Sequence, residues 1–167
     1  MLKGDSPFDR LLLAAPPPEG RASPTASAWA SVQDRLGTDL PTDYRRFIDT
    51  YGFVRLDDIL MVYDPFAPAG PGNLVDQVMF DSEALGVSWP DDGVLPVGRS
   101  DNGDVVTWVC HGEPDSWTVA IWPEDGREPE ALGLGLAALL DGLCSGDVIV
   151  DAFPERFPRS AVFVPVT

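Results

Sequence analysis

The chain has 167 residues, 44% of them hydrophobic, a length that suits one domain with a short extension and a composition able to fill a core. It carries 27 acidic against 11 basic side chains, a formal charge of −16, and its cations are Lys3 and ten arginines. Phosphate affinity depends mainly on cationic neutralisation, so this balance argues against nucleic acid or an anionic membrane as partner and toward a basic protein.

Cys110 and Cys144 are too few for a disulfide framework. The apolar run LLLAA at 11–15 follows Asp5 and Asp9 rather than a basic segment, and no stretch approaches the ~20 apolar residues of a membrane span. A reduced, cytoplasmic protein is the expectation.

Residues 7–15 have the pattern of one or two helical turns, and PPPEGRASP then breaks any helix. Residues 1–23 are therefore expected to form an N-terminal arm and proline-rich linker, and 24–167 a single domain. If residues 1–20 are a flexible extension, their removal leaves the melting temperature within a few degrees.

Next comes a helix with Trp29, Val32 and Leu36 on one side, ending at Gly37. LPTDYRRFIDTYG follows at 40–52. Pro41 and Asp43 mark a helix start, Tyr44, Phe47, Ile48 and Tyr51 recur at three- and four-residue spacing, and Gly52 stops it. Ile59 to Tyr63 is the first good strand, PFAPAGPG a loop, and Leu74 to Leu85 a helix with Asn73 as cap and Gly86 as stop. WPDDG returns the chain to loop.

The second half is richer in strands. VLPVG is a short strand that Pro96 pushes toward an edge or a bulge, and Asn102-Gly103 favours a tight hairpin. VVTWVC and WTVAIW complete a meander of three, with Val106, Trp108 and Cys110 on one side and Trp117, Val119 and Ile121 facing a buried surface. A last helix is expected from about Glu130 to Leu143, in which Gly133 and Gly135 cost roughly 1 kcal/mol each relative to alanine. AVFVPV suits an edge strand. The fold class is α+β: helices packed with a central antiparallel sheet of about four to six strands, a mixed sheet being the alternative.

Catalytic signals are thin. Cys110 and the single histidine, His111, are neighbours that a strand sends to opposite faces, so they do not ligate one metal together. SDNGD lacks the later glutamate of a calcium loop and is better read as a hairpin turn. No nucleophile elbow, phosphate loop or dinucleotide fingerprint appears. The pairs Asp57-Asp58 and Asp91-Asp92 leave a hydrolase using loop carboxylates as a remote alternative. The expectation is a protein without enzymatic activity, metal or cofactor.

The order of Trp29 and Gly37, LPTDYRRFIDTYG, the strand before Pro65, LPVGRSDNGDVVTW and EPDSWTVAIW resembles the SUKH superfamily, the Smi/Knr group, over residues 25–145. The resemblance implies an α+β domain whose bacterial members often act as immunity proteins against polymorphic or contact-dependent toxins, frequently nucleases. Eukaryotic relatives look like regulatory interaction proteins, which supplies a second reading without a toxin. It implies no shared catalytic residues.

A binding module of this kind would occlude a basic toxin domain through charge complementarity around aromatic anchors. The candidate acids lie in loops flanking the sheet: Asp57, Asp58, Asp64, Asp91, Asp92, Asp101, Asp104, Glu113 and Asp115. Trp89 and Trp122 are the candidate anchors. The competing interpretation makes the acids solvated loop charge and the tryptophans core.

Overall fold

The computed structural model describes residues 5–167. Local signals start three of its helices. Ser6 accepts the Asp9 N–H to open α1 (Pro7–Ala14), Thr25 accepts the Ala28 N–H to open α2 (Ala26–Leu36), and Asn73 accepts from Val75 and Asp76 to open α4 (Leu74–Leu85). The other two are capped at long range. At α3 (Thr42–Tyr51), Asp115 accepts from the Thr42 N–H at 2.7 Å and the Thr42 hydroxyl at 3.0 Å. At α5 (Leu136–Ser145), Gly135 has no side chain to offer, and Asp43 of α3 accepts the Ala137 N–H at 2.9 Å.

Seven strands form one sheet: β1 (Val54–Leu56), β2 (Leu60–Val62), β3 (Val94–Ser100), β4 (Val105–Val109), β5 (Thr118–Trp122), β6 (Glu130–Ala131) and β7 (Phe163–Pro165). Their order is β6-β5-β4-β3-β2-β1-β7, and every strand pair is antiparallel. The α+β class stands, with a sheet larger than the four to six strands expected.

α5 lays Leu136 and Leu139 against Val62, Val97 and Val106. On the same face, Tyr44 of α3 meets Trp108 edge-on with ring centroids 4.9 Å apart. Phe47 and Tyr51 stack at 4.8 Å, and Tyr51 reaches Phe163 of β7 at 4.7 Å. The two tyrosine hydroxyls of α3 donate to backbone carbonyls, Tyr44 to Tyr63 and Tyr51 to Ala15. Burial raises both phenol pKa values, so these groups remain neutral donors.

Three sequence expectations need correction. β1 precedes Ile59–Tyr63, the first strand expected from the sequence: three residues interrupted by Arg55 are too short to show a period. The helix expected from Glu130 starts at Leu136; Glu130 and Ala131 form an edge strand, so Gly133 and Gly135 precede the helix and impose no helical penalty. Of the edge or bulge that Pro96 called for, the structure has the bulge: the strand is interior, and a register shift between Pro96 and Gly98 accommodates the missing N–H.

The third correction concerns the loose arm. Residues 1–4 lie outside the described residues, but Phe8, Leu11 and Ala15 are buried in the core. α1 packs on α5, joined by an Arg10–Asp141 pair at 2.9 Å, and Arg46 lies over the Phe8 ring at 4.2 Å. The linker is held too: the Arg21 guanidinium occupies the space beside Gly52, where an added Cβ would lie 2.1 Å from Arg21 Cζ, and it reaches Asp64 at 3.8 Å. Gly52 has φ 71°, so it serves the turn and makes room for the arginine. Among the described residues no helix is long and apolar enough to cross a membrane.

The burial of α1 reverses the expected outcome of truncation. Leu11→Ala should cost about 2–5 kcal/mol, and at roughly 2–4 °C per kcal/mol for a chain of this size the melting temperature should fall by about ten degrees. Deleting residues 1–15 should do at least as much. Calorimetry showing either variant within two degrees of the parent chain, as estimated on that same scale, would return α1 to the status of a loose arm.

Candidate functional site

Strand register builds one wall of a cleft. Arg55 pairs with Met61, Met61 with Arg99, Arg99 with Val105, and Val105 with Trp122, so these side chains share the sheet face opposite α5. Strict alternation from the buried Leu95 and Val97 would have turned residue 99 into the core. The bulge between Pro96 and Gly98 shifts the phase by one, and Arg99 emerges beside Met61. Gly98 permits this close pairing, since an added Cβ would lie 2.7 Å from the Met61 carbonyl oxygen.

α4 and the loop before it form the other wall, with Asp76, Gln77, Phe80 and the Gly70–Gly72 turn enclosing an open cleft of about 560 Å³. The loop is fixed from within. Asn73 Nδ2 donates to the Pro65 and Ala67 carbonyls at 3.3 and 2.8 Å, and Asp64 accepts the Phe66 N–H at 2.7 Å while its own N–H donates to Gly72.

A polar network lies at the base. The Tyr63 hydroxyl donates to Asp81 Oδ2 at 2.6 Å, Gln77 Nε2 lies 3.4 Å from both groups, and Arg99 Nη1 stands 3.5 Å from Asp81 Oδ1. Burial raises the Asp81 pKa, a shift opposed by the Tyr63 bond, the Arg99 charge and the Gln77 bond. At the mouth Phe80 is 62% exposed, and its neighbour in sequence, Met79, is 72% exposed.

Of the candidate acids, Asp101 lines this cleft at the start of the β3–β4 turn, while Asp57 and Asp58 form the neighbouring β1–β2 turn with φ of 50° and 56°, the Asp57 carboxylate accepting the Arg159 N–H at 2.9 Å. The Asp101 N–H donates to the Ile59 carbonyl, which fastens the two turns together. Four others cluster at the opposite end of the sheet: Asp91 and Asp92 before β3, and Glu113 and Asp115 before β5.

Of these, Asp92 accepts the Ser88 N–H and Asp115 is the cap of α3, whose bonds from Thr42 lower its pKa. Asp64 and Asp104 are buried and serve the fold, which corrects their assignment as surface acids. Asp64 holds the loop already described, and burial raises its pKa. Asp104 accepts the Ser100 hydroxyl at 2.6 Å and the Glu124 N–H at 3.0 Å.

The tryptophans are half-buried and tied inward as well. Trp89 donates to the Leu36 carbonyl at 3.0 Å and packs against the core, while Trp122 donates to the Thr107 hydroxyl at 3.0 Å. His111 is exposed, whereas burial pushes the Cys110 thiol up to about 12, where it stays protonated at neutral pH. Among the described residues no three His, Cys, Asp or Glu side chains converge as a metal site would require.

Arg55, Tyr63, Gln77, Phe80, Asp81 and Arg99 were not singled out from the sequence. A signal existed for one of them: Leu74 and Val78 set the apolar stripe of α4, and Met79-Phe80 falls off it.

The buried acid has a measurable consequence. A folded pKa raised above the usual 3.8 means that the native state binds more protons than the unfolded chain in the interval between the two values. The Asp81 contribution to stability is thus greatest below 3.8 and declines as pH rises through the raised value. Stability measured by urea unfolding at stepped pH should move in favour of Asp81→Asn, relative to the parent, as pH rises across that interval. A difference that stays flat or moves the other way would contradict the buried-carboxylate account.

No curated protein matches the chain significantly. A family model does match, that of the SMI1 / KNR4 family (SUKH-1), over residues 23–142, which takes in α2 through most of α5 and therefore both walls of the cleft. By that match the chain belongs to the SMI1 / KNR4 family (SUKH-1).

Proposed function

We propose that this domain is a non-catalytic, cytoplasmic immunity-type protein that neutralises a toxin by binding it, with the α4 cleft and its neighbouring turns as the contact surface. Family membership supports a protein-binding role, and a charge of −16 supports a basic partner. The observation that carries the choice of surface is the meeting, at one end of the sheet, of the exposed Phe80 of α4 with Asp101 and, fastened to it through Ile59, the Asp57-Asp58 turn. An apolar centre with a charged rim is the usual anatomy of a binding patch.

Charge and contact have separable roles in this scheme. The field of the whole domain accelerates encounter, by roughly 10 to 10³-fold at low salt, whereas the lifetime of the complex depends on short-range packing. Stopped-flow binding to the toxin encoded next to this protein should therefore show association falling steeply with salt and dissociation changing less. Converting Asp57, Asp58 and Asp101 together to asparagine should slow association more than converting Asp91 and Asp92, which lie at the far end. Phe80→Ala should mainly hasten dissociation. Failure to associate at low salt, or failure to protect cells expressing that toxin, would leave a regulatory scaffold as the better reading.

A further inference from the structure

We infer that the cleft grips a carboxylate of its protein partner: an acidic side chain flanked by apolar residues, held between Arg55 and Arg99 with its neighbours on Met61 and Phe80. This rests on the binding role proposed above and specifies the chemistry of the occupant. Arg55 and Arg99 stand on either side of Met61 in register, two strand spacings or about 10 Å apart at Cα. Both side chains rise from the same face and line the same cleft.

A guanidinium offers five N–H donors, and these two are little used. Arg99 makes one contact, to Asp81 at 3.5 Å, and Arg55 makes one, to Asp101 at 3.4 Å. Among the described residues no other hydrogen bond or ion pair engages either group, and their side chains are 41% and 34% exposed. The planar fork of arginine matches a carboxylate with two parallel bonds, a geometry that neither contact here achieves. Asp81 is fixed by Tyr63 and orients Arg99 without satisfying it.

The other acids lining the cleft compete weakly. Asp76 already accepts the Gly70 N–H at 2.8 Å. Asp101 is 66% exposed and forms only a surface pair, an interaction of little net strength that an incoming carboxylate can replace.

A domain of charge −16 repels free anions, so a small inorganic anion is poorly served by two arginines in such a field. A carboxylate carried by a basic protein is delivered by that same field. The cleft volume of about 560 Å³ suits a short peptide segment, and Met61, Ile59 and Phe80 give its apolar side chains a surface.

Amide NMR spectra of the full chain, titrated with acetyl-Lys-Phe-Glu-Leu-Lys-amide, whose lysines stand in for the basic partner, its Gln and Arg counterparts, and inorganic phosphate, test this directly. The Glu peptide should shift the amides of Arg55, Met61, Phe80 and Arg99 saturably and bind about tenfold tighter than the Gln peptide, the margin expected of a charge-assisted pair. Arg55→Gln, which removes only a surface ion pair, should abolish that preference. Arg99→Lys, which keeps a cation beside Asp81 but loses the fork, should weaken it. Asp101→Asn, which releases Arg55, should tighten Glu-peptide binding.

Equal binding of the Gln or Arg peptide, shifts outside the cleft, absence of saturable shifts, or phosphate binding as strongly at the same amides would each overturn the inference. The two readings fail separately. Peptide selectivity without toxin protection removes the immunity role and keeps the carboxylate grip, whereas protection without peptide selectivity does the reverse.

Discussion

The packing of α3 is the constraint on which the rest of the structure depends. Its four inward side chains, Tyr44, Phe47, Ile48 and Tyr51, are essentially without solvent exposure, and they reach in different directions. Tyr44 joins the helix to Trp108 of β4 and, through its hydroxyl, to the end of β2; Tyr51 joins it to β7 and to the end of α1. Fully burying one aliphatic or aromatic side chain contributes about 1.5–3 kcal/mol, so this one face outweighs any of the surface ion pairs. The ends of the helix matter equally, since Asp115 caps it and its own Asp43 caps α5. Three elements distant in sequence are thereby fixed to each other without a single disulfide.

The cleft is a consequence of that frame plus one irregularity. A β-bulge costs ladder hydrogen bonds, and here it re-aims one charged side chain from the core to the surface. An arginine at residue 99 in an unbulged strand would have required a buried counter-ion on the α5 side, where the neighbours are Leu136, Leu139 and Val106. On the outer face it finds Asp81, a carboxylate kept out of water by α4 and stabilised by Tyr63 and Gln77. Such a network is weak evidence for stability, because desolvation offsets much of the Coulomb gain. Its plainer effect is orientation, holding a half-exposed guanidinium in the cleft.

Acidity plays two roles that differ in range. The net charge acts at a distance, and a screening length of about 8–10 Å at physiological salt gives the acids nearest the contact surface the largest share of it. Contact is local, and the acids divide accordingly. Asp57, Asp58 and Asp101 adjoin the cleft, Asp91, Asp92 and Glu113 lie at the other end of the strands, and Asp64, Asp104 and Asp115 are consumed by turns and caps. Proximity in sequence to a turn did not separate these classes, because a carboxylate on a loop is as good a cap as it is a binding group.

What the sequence determined by itself was whatever depends on short-range physics. α2 and α4 begin and end where the residues say, since Thr25, Asn73, Gly37 and Gly86 act on backbone groups within a few positions. The inward face of α3 follows from side-chain period, and the hairpin at Asn102-Gly103 and the β3–β4–β5 meander follow from alternation and turn chemistry. Tertiary structure alone decided what depends on distant partners. β1 exists because β2 and β7 flank it, and α5 starts at Leu136 because Asp43, 94 positions away, completes its first turn. α1 is core because Tyr51 and α5 supply the surface that its apolar face needs. Arg99 faces the cleft because a one-residue shift against β4 reversed the alternation. A period of two or 3.6 can be read along a chain, but the phase of a strand and the partner of a cap are set by residues that only the folded chain brings near.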